Sequence, residues 1–306
     1  MSADSDATAT TGTVRPSGQP IKTVARRHPW SWVLGILLLL PLGMLAHLLA
    51  TNPAFGWATV RAQVFSATVL DGLWRTLFVA GVALVGGFAV ALGLTLMRRS
   101  GNPLLRLLSW AYCWFFRALP RIVVVILFGS LGVLYGRLDL GIPFDFWIER
   151  RLGLDLDTRY FSFDSATLFS GVVAAILGLT LTQAAYFTEV MRDAFAGTDE
   201  AEREAALALG MTPGQARRRA VLPPAMRVLA PAGGREIVRL YADTALVAFV
   251  PYPELFGTLR GIGDQTGSPF PMLVAACLWY LATVSILLIG LSVVRQWATR
   301  RLEAHR

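Results

Sequence analysis

Between residues 204 and 224 the chain reads EAALALGMTPGQARRRAVLPP, a segment set between two long apolar stretches. Its beginning belongs to a run, Glu200 to Leu209, that is rich in alanine, leucine and glutamate, all strong helix formers. Gly210 follows, and glycine is the residue that most often ends a helix. The first half of the segment is therefore predicted to be a helix that stops at Gly210.

The second half carries the signals of a new helix. Thr212 is a suitable N-cap, and Pro213 fits the first helical position. We expect this helix to be short and to run to about Leu222, where Pro223-Pro224 ends it. The segment is thus predicted to form a helix, a sharp turn and a second helix.

Apolar side chains are too numerous here for a fully solvated pair of helices. They are Ala205, Ala206, Leu207, Leu209 and Met211. They can pack against the rest of the chain, or they can dock into another protein. The residues themselves leave both readings open.

The surrounding composition is that of a membrane protein. Of 306 residues, 55% are hydrophobic and only 16% are charged, whereas soluble domains carry about 25% charged residues. The net charge of +8 does not indicate nucleic-acid binding, because the arginines lie beside apolar stretches, where they set membrane topology. We therefore expect membrane lipid around the chain and no nucleic acid.

Six apolar stretches are candidates for membrane-spanning helices. They lie at about 30–50, 70–97, 108–135, 166–190, 231–250 and 271–294. The third is interrupted by Pro120, and the fifth is less apolar because it holds Arg235, Glu236, Arg239 and Asp243. The predicted fold class is all-α integral membrane, a polytopic bundle of about six transmembrane helices.

The distribution of basic residues predicts the orientation. Segments on one side of the predicted spans hold 18 arginine and lysine residues, and segments on the other side hold 6. Short loops rich in arginine and lysine stay in the cytoplasm. We therefore expect a multi-pass protein of the cell (inner or plasma) membrane, with cytoplasmic N- and C-termini and a cytoplasmic 204–224 segment.

The same pattern divides the chain into regions. They are a disordered cytoplasmic tail at 1–29, an extra N-terminal transmembrane helix at 30–50, an external loop at 51–69, a transmembrane domain at 70–295 with a cytoplasmic segment at 191–230, and a basic cytoplasmic tail at 296–306. The first tail has too few large apolar residues to order itself. The first apolar run is longer than a signal-peptide core, so we favour an uncleaved helix.

Residues that build catalytic or metal sites are scarce. Cys113 and Cys277 lie inside apolar segments, and the three histidines are scattered along the chain. The sequence also lacks the G-x-x-x-x-G-K-[ST] loop that binds ATP phosphates. We predict no catalytic residue, no metal and no cofactor bound by this chain, which is not expected to be an enzyme.

The 204–224 segment resembles the EAA signature of permease subunits of bacterial ATP-binding-cassette (ABC) importers. The match falls on Glu204, Ala205, Ala206, Gly210, Leu222 and Pro223. Ala220 stands where the family usually has isoleucine. The resemblance implies the type I ABC importer permease fold, in which this segment is the coupling helix that fits a groove on a cytoplasmic ATPase and carries its motion to the spans.

Three further motifs resemble the polar amino-acid uptake permeases. The first, Phe116–Pro120, resembles F-R-G-T-P, with Ala118 and Leu119 departing from the pattern. The others are Tyr186, Glu189 and Arg192, in a Y-x-x-E-x-x-R spacing, and Glu236, Arg239, Asp243, Thr244 and Leu246, in an E-x-x-R-L-x-x-D-T-x-L spacing. The resemblance runs from about residue 70 to the C-terminus and implies translocation of a polar amino acid or amino-acid-like solute.

Charged residues inside the spans are candidates for the substrate pathway. Arg239 and Asp243 lie four residues apart and share a helix face, so they can pair with each other or line the path of the solute. Arg117, just before the helix-breaking Pro120, can reach towards the membrane surface or face a cavity. Thr244 completes the candidate set.

The family resemblance also implies partners: two cytoplasmic ABC ATPase subunits that use ATP and Mg²⁺, a second permease subunit that is identical or different, and an external solute-binding protein. The alternatives are a permease for another small polar solute, or an ion-gradient-driven secondary transporter. A secondary transporter should show carboxylates deep in several spans, and only Glu236 and Asp243 lie well inside one. The motifs do not specify which amino acid is carried.

Overall fold

The structure is a computed structural model that describes residues 29–141, 150–151, 159–164, 169, 171–196 and 200–303. The predicted tail at 1–29 lies outside these residues except for Pro29, as does the end of the predicted basic tail. The chain divides into two units, residues 1–52 and 53–306.

The first unit contains one described helix, α1, from Pro29 to Thr51. It matches the predicted first span and is apolar all round, with a window of high hydropathy from Val33 to Thr51. A helix without a polar face is suited to lipid rather than water.

The second unit is a helical bundle with one two-stranded ribbon. Its elements are α2 (Trp57–Gln63), α3 (Ala67–Arg98), α4 (Pro103–Ala118), α5 (Arg121–Leu134), β1 (Arg137–Gly141), β2 (Arg159–Asp164), α6 (Gly171–Ala196), α7 (Glu200–Ala208), α8 (Pro213–Ala216), α9 (Leu222–Asp243), α10 (Leu255–Thr266) and α11 (Pro269–Glu303). Short 3₁₀ helices lie at Pro53–Phe55 and Thr244–Phe249, and a π-helical turn lies at Arg217–Val221. The two strands pair antiparallel.

Among the described helices, α1, α3, α6 and α11 are long and apolar enough to cross a membrane. Helices α4 and α5 qualify together, as a pair bent by 99°, which gives up to five spans. Helix α9, with 22 residues, is long enough to cross a membrane, but its charged residues lower its mean hydropathy below that of these helices. The predicted fold class, a polytopic helical membrane bundle, is confirmed.

The bend between α4 and α5 has a local cause. Leu119 and Pro120 both adopt extended backbone conformations, with ψ near 135°. The helical region is disfavoured for a residue before proline, and proline lacks the N–H that would continue the helix. The predicted interruption at Pro120 therefore divides one apolar stretch into two helices.

The main core lies where α3, α5, α6 and α9 meet. Val79, Val125, Leu179 and Leu240 are almost completely buried there. Lipid is as apolar as these side chains, so such helices associate through close packing rather than through the hydrophobic effect. A second core joins α2, α3, α10 and α11.

Glycines bring the helices of the main core close together. A Cβ at Gly87 of α3 would lie 3.2 Å from the side chain of Gln183, and one at Gly178 of α6 would lie 3.0 Å from the Cα of Val125. A Cβ at Gly86 of α3 would likewise lie 3.1 Å from the side chain of Thr180, whereas Gly93 faces open space. Helix α6 is therefore held tightly between α3 and α5.

Candidate functional site

The predicted turn at Gly210 is formed by a glycine-dependent helix end. Gly210 adopts φ 81°, in the left-handed region that favours glycine. Its N–H donates to the carbonyl of Leu207 at 2.9 Å, and the N–H of Met211 donates to the carbonyl of Ala206 at 3.2 Å. These two bonds satisfy carbonyls that the end of α7 would otherwise leave without partners.

Thr212 starts the next helix, as predicted. Its Oγ1 accepts from the N–H of Gln215 at 3.4 Å, and Oε1 of Gln215 accepts from the N–H of Thr212 at 3.0 Å. This reciprocal capping box fixes α8 directly after the turn, with Pro213 at its first position. We call the region from Glu200 to Val221 the coupling elbow.

The expectation that Pro223-Pro224 ends the second helix is wrong. Helix α8 passes through the π-helical turn directly into α9, and the two prolines lie in the first turn of α9. The N–H of Leu222 donates five residues back, to the carbonyl of Arg217. Pro223 and Pro224 are tolerated after this wider turn because they lie in the first turn of α9, where the backbone N–H groups that proline lacks are not needed for helix hydrogen bonds.

The elbow packs partly on itself. Ala206 and Ala216 are buried, whereas Glu204, Ala205 and Gly210 are exposed. Leu209 at the tip is 80% exposed, and Leu222, where α9 begins, is exposed as well. Some apolar side chains therefore support the elbow from inside, as one of the two sequence readings predicts, whereas docking of the exposed Leu209 into a partner protein stays a prediction.

Within the bundle, Arg121 is the centre of a largely buried group of charges. Its guanidinium pairs with Asp243 and lies 3.5 Å from Oε2 of Glu236. It also donates to Oε1 of Gln183 at 3.2 Å. Arg239 pairs with the same Glu236 at 3.2 Å. We call these five residues the central cluster.

The position of Arg121 explains why it needs these partners. It is the first residue of α5, and a cation is unfavourable at the positive end of a helix dipole. Only 8% of its side chain is exposed, so the carboxylates of Asp243 and Glu236 offset the cost of burying its charge. Its Cζ also lies 4.2 Å from the ring centre of Tyr186, within range of a cation–π interaction.

A second group, the edge cluster, surrounds Glu189. Arg98 and Arg117 contact this carboxylate, the latter at 3.4 Å, and Arg192 pairs with it at 2.8 Å. Arg98 and Arg117 lie in the last turns of α3 and α4, and Arg192 lies just before the last turn of α6. The edge cluster therefore joins three helices close to their C-terminal ends. Tyr186 links the two clusters, since the Cζ of Arg117 lies 5.9 Å from its ring centre.

Glu254 forms a third buried polar site, between α3, α10 and α11. Its carboxylate accepts from the N–H groups of Phe256 and Gly257 at 2.9 and 2.7 Å, which caps α10. Thr76 and Tyr280 donate to the same carboxylate at 3.2 and 3.4 Å. The fully buried carboxylate is thus satisfied by four donors, so its role is structural.

The four predicted pathway residues are not brought together. Asp243 pairs with Arg121 rather than with Arg239, while Arg117 belongs to the edge cluster. Thr244 is fully buried and donates to the carbonyl of Tyr241 at 2.6 Å, so it presents no surface to a solute. Arg239, at 58% exposed, and Asp243, at 24%, are the accessible members of the central cluster.

Sequence reasoning missed Arg121, Gln183 and Glu254. A signal for Arg121 was present, because an arginine directly after a helix-breaking proline is placed at a helix N-terminus, where it requires carboxylates. Nothing local marks Gln183 or Glu254, whose partners lie far away in the sequence. Within the part of the chain that the structure describes, no group of three His, Cys, Asp or Glu residues is placed to hold a metal.

Comparison with known proteins places this geometry in context. Residues 83–305 match the family model described as "Binding-protein-dependent transport system inner membrane component". The arginine transport system permease protein ArgU of Corynebacterium glutamicum is 32% identical over 274 residues, which cover 89% of this chain and 81% of ArgU. The histidine/lysine/arginine/ornithine permease protein HisM of Salmonella typhimurium is 30% identical over 228 residues, 74% of this chain and 88% of HisM.

Solved structures show the same fold at lower identity. A chain of an amino acid ABC transporter with histidines superposes with a TM-score of 0.58 at 21% identity, covering 75% of this chain and 93% of that one. A chain of the inward-facing MetNI methionine ABC transporter gives a TM-score of 0.56 at 19% identity, covering 77% and 98%.

Proposed function

The chain belongs to the family of binding-protein-dependent transport system inner membrane components, and we propose that it is the permease subunit of an ABC importer that brings a cationic amino acid into the cell. The observation that carries the substrate class is similarity over most of the chain to permeases named for arginine and for histidine, lysine, arginine and ornithine. Family membership supports the general function, a membrane-embedded transport subunit without enzymatic activity of its own.

The coupling elbow is proposed to dock into the ATPase. Its tip combines a rigid glycine turn, a capping box and an exposed leucine, features suited to insertion into a groove. The contact is proposed to involve Glu204, Ala205 and Gly210, with Ala206 supporting them from inside and Leu222-Pro223 joining the elbow to α9. Two ATPase subunits that bind ATP and Mg²⁺ would drive the motion.

Docking of this kind requires a cytoplasmic elbow. We propose cytoplasmic N- and C-termini on the basis of the arginine distribution, which favours the side that carries the elbow. A second permease subunit, identical or different, and an external solute-binding protein would complete the importer.

The accessible face of the central cluster is proposed to meet the solute. It offers both signs of charge, since Arg239 can approach an α-carboxylate and Asp243 can approach an ammonium or guanidinium group. Arg117 and Thr244 have supporting roles in this proposal, because one belongs to the edge cluster and the other is buried.

Reconstituted transport tests the proposed function. The permease is placed in proteoliposomes with its ATPase and binding protein, and uptake of labelled L-arginine is compared with uptake of L-aspartate. We expect ATP-dependent uptake of arginine and little of aspartate. Preference for aspartate would contradict the substrate class. Uptake that survives removal of the ATPase and collapses with the proton gradient would instead establish a secondary transporter.

A further inference from the structure

The π-helical turn of the elbow carries three consecutive arginines, Arg217, Arg218 and Arg219. All three are exposed. Within the part of the chain that the structure describes, none of their side chains has an ion-pair or hydrogen-bond partner. We call these residues the arginine turn. Like charges repel one another, so this turn gains stability from any anionic partner that approaches it.

The carboxylates nearest in the fold do not neutralise the arginine turn. Helix α7 packs against the π-helical turn and carries two exposed glutamates, Glu202 and Glu204. Among the described residues, neither glutamate pairs with an arginine of that turn. The elbow therefore keeps its acidic and basic groups apart, and both remain available to another molecule.

The arginine turn lies too far from the membrane to be held by lipid headgroups. Gly234 of α9 lies beside Leu291 of α11, since an added Cβ would be 3.5 Å from the leucine side chain. The apolar run of α11 ends three residues further on, at Val294. The two helices are antiparallel in the predicted topology, so the same level falls near Pro231, twelve residues after Arg219. Twelve helical residues span roughly 18 Å, whereas the headgroup layer is about 5 to 8 Å thick.

The arginine turn is continuous with the tip of the elbow. Only the four-residue helix α8 separates it from the turn at Gly210 and the exposed Leu209. A protein that covers this tip therefore also comes within reach of the three arginines. An acidic surface on that protein would supply the anions that the elbow itself does not provide.

We propose that the arginine turn binds an acidic surface on the ATPase subunit, and that this attraction speeds and orients docking of the elbow. The inference rests on the proposed function, because it extends the same contact from the tip to the second arm of the elbow. Complementary charges accelerate association and fix the register of an interface. Salt screens such exposed charges, so docking is expected to depend on ionic strength.

Association of the purified ATPase with the full chain in nanodiscs of dioleoyl phosphatidylcholine tests the proposal. The association rate is measured by biolayer interferometry at about 50 mM and about 300 mM NaCl, and we expect it to fall about tenfold between them. Arg218→Glu should lower the rate at low salt by about tenfold and remove most of its salt dependence. The matched control is Arg106→Glu, the same charge change at an exposed arginine of α4 without a partner among the described residues, and it should change the rate by less than about twofold.

Three results would overturn the role of the arginine turn. They are an association rate that does not depend on salt, equal effects of Arg218→Glu and Arg106→Glu, and a defect of Arg218→Glu that occurs only in nanodiscs containing phosphatidylglycerol. The last result would show that the arginines bind lipid headgroups instead. Thermal unfolding of both variants confirms that the exposed substitutions leave the fold intact.

The same experiment separates this inference from the proposed function. Absence of any binding by the wild type at either salt concentration would contradict both. Binding that is weakened by Gly210→Ala but not by Arg218→Glu would overturn the role of the arginine turn alone and leave docking through the tip in place.

Discussion

At the scale of the residue, Arg121 organises the charged interior of the bundle. It contacts Asp243, Glu236, Gln183 and Tyr186, which belong to α6 and α9, while it begins α5. A buried charge is tolerated only when it is paired and hydrogen-bonded. The central cluster therefore joins three helices by electrostatics in a place where lipid offers no hydrophobic driving force.

Replacing this arginine should destabilise the protein strongly. In Arg121→Gln, Asp243 keeps its partial burial but loses its cation, and breaking such a pair costs about 3 kcal/mol. Thermal unfolding of the purified chain measures the loss. The control is Arg260→Gln, whose exposed pair with Asp264 at 4.0 Å should contribute under about 1 kcal/mol. Equal effects of the two variants would show that the central cluster does not stabilise the fold.

At the scale of the element, close helix approach and the coupling elbow define the architecture. Helix α6 packs at Gly178 directly against the backbone of α5. Helices α7 and α8 are joined at Gly210, whose backbone has a left-handed conformation. Both positions require glycine, but for different reasons: the first because of space and the second because of backbone conformation.

A larger side chain at Gly178 should separate α5 from α6. Its Cβ would lie 3.0 Å from the backbone of Val125, which cannot move aside as a flexible side chain can. Gly178→Leu should therefore lower stability by about 2 kcal/mol through overpacking. Gly93→Leu is the matched control, since an added Cβ there meets nothing within 4 Å. The comparison is made by thermal unfolding, and an undisturbed Gly178→Leu protein would refute the close approach.

Backbone strain at Gly210 should weaken the binding of the coupling elbow to the ATPase. Gly210→Ala forces a side chain into φ 81° at a cost of about 1 kcal/mol, which favours a different turn. Gly214→Ala is the control, because this exposed helical position has open space and alanine favours helix. Co-purification with the ATPase should fall for the first variant and not for the second. Equal recovery would argue against docking through this turn.

At the scale of the whole molecule, sequence patterns predicted features that depend on neighbouring residues and missed contacts between residues that are distant in the sequence. Spans follow from runs of apolar residues, and the turn at Gly210 and Thr212 follows from capping chemistry within a few residues. The pair between Arg121 and Asp243 joins positions 122 residues apart, so only the fold brings it together. The predicted helix end at Pro223-Pro224 was wrong because a π-helical turn before these prolines lets the helix continue. That turn has no recognised sequence signal.

The central claim is that the elbow lies in the cytoplasm and is covered by an ATPase, and labelling of Leu209→Cys tests it most directly. The variant is made with Cys113 and Cys277 replaced by alanine and is treated with a membrane-impermeant maleimide. We expect labelling in inside-out vesicles, protection when the ATPase is bound, and none in intact cells. Labelling of intact cells from outside would contradict the claim, and so would labelling in inside-out vesicles that bound ATPase leaves unchanged.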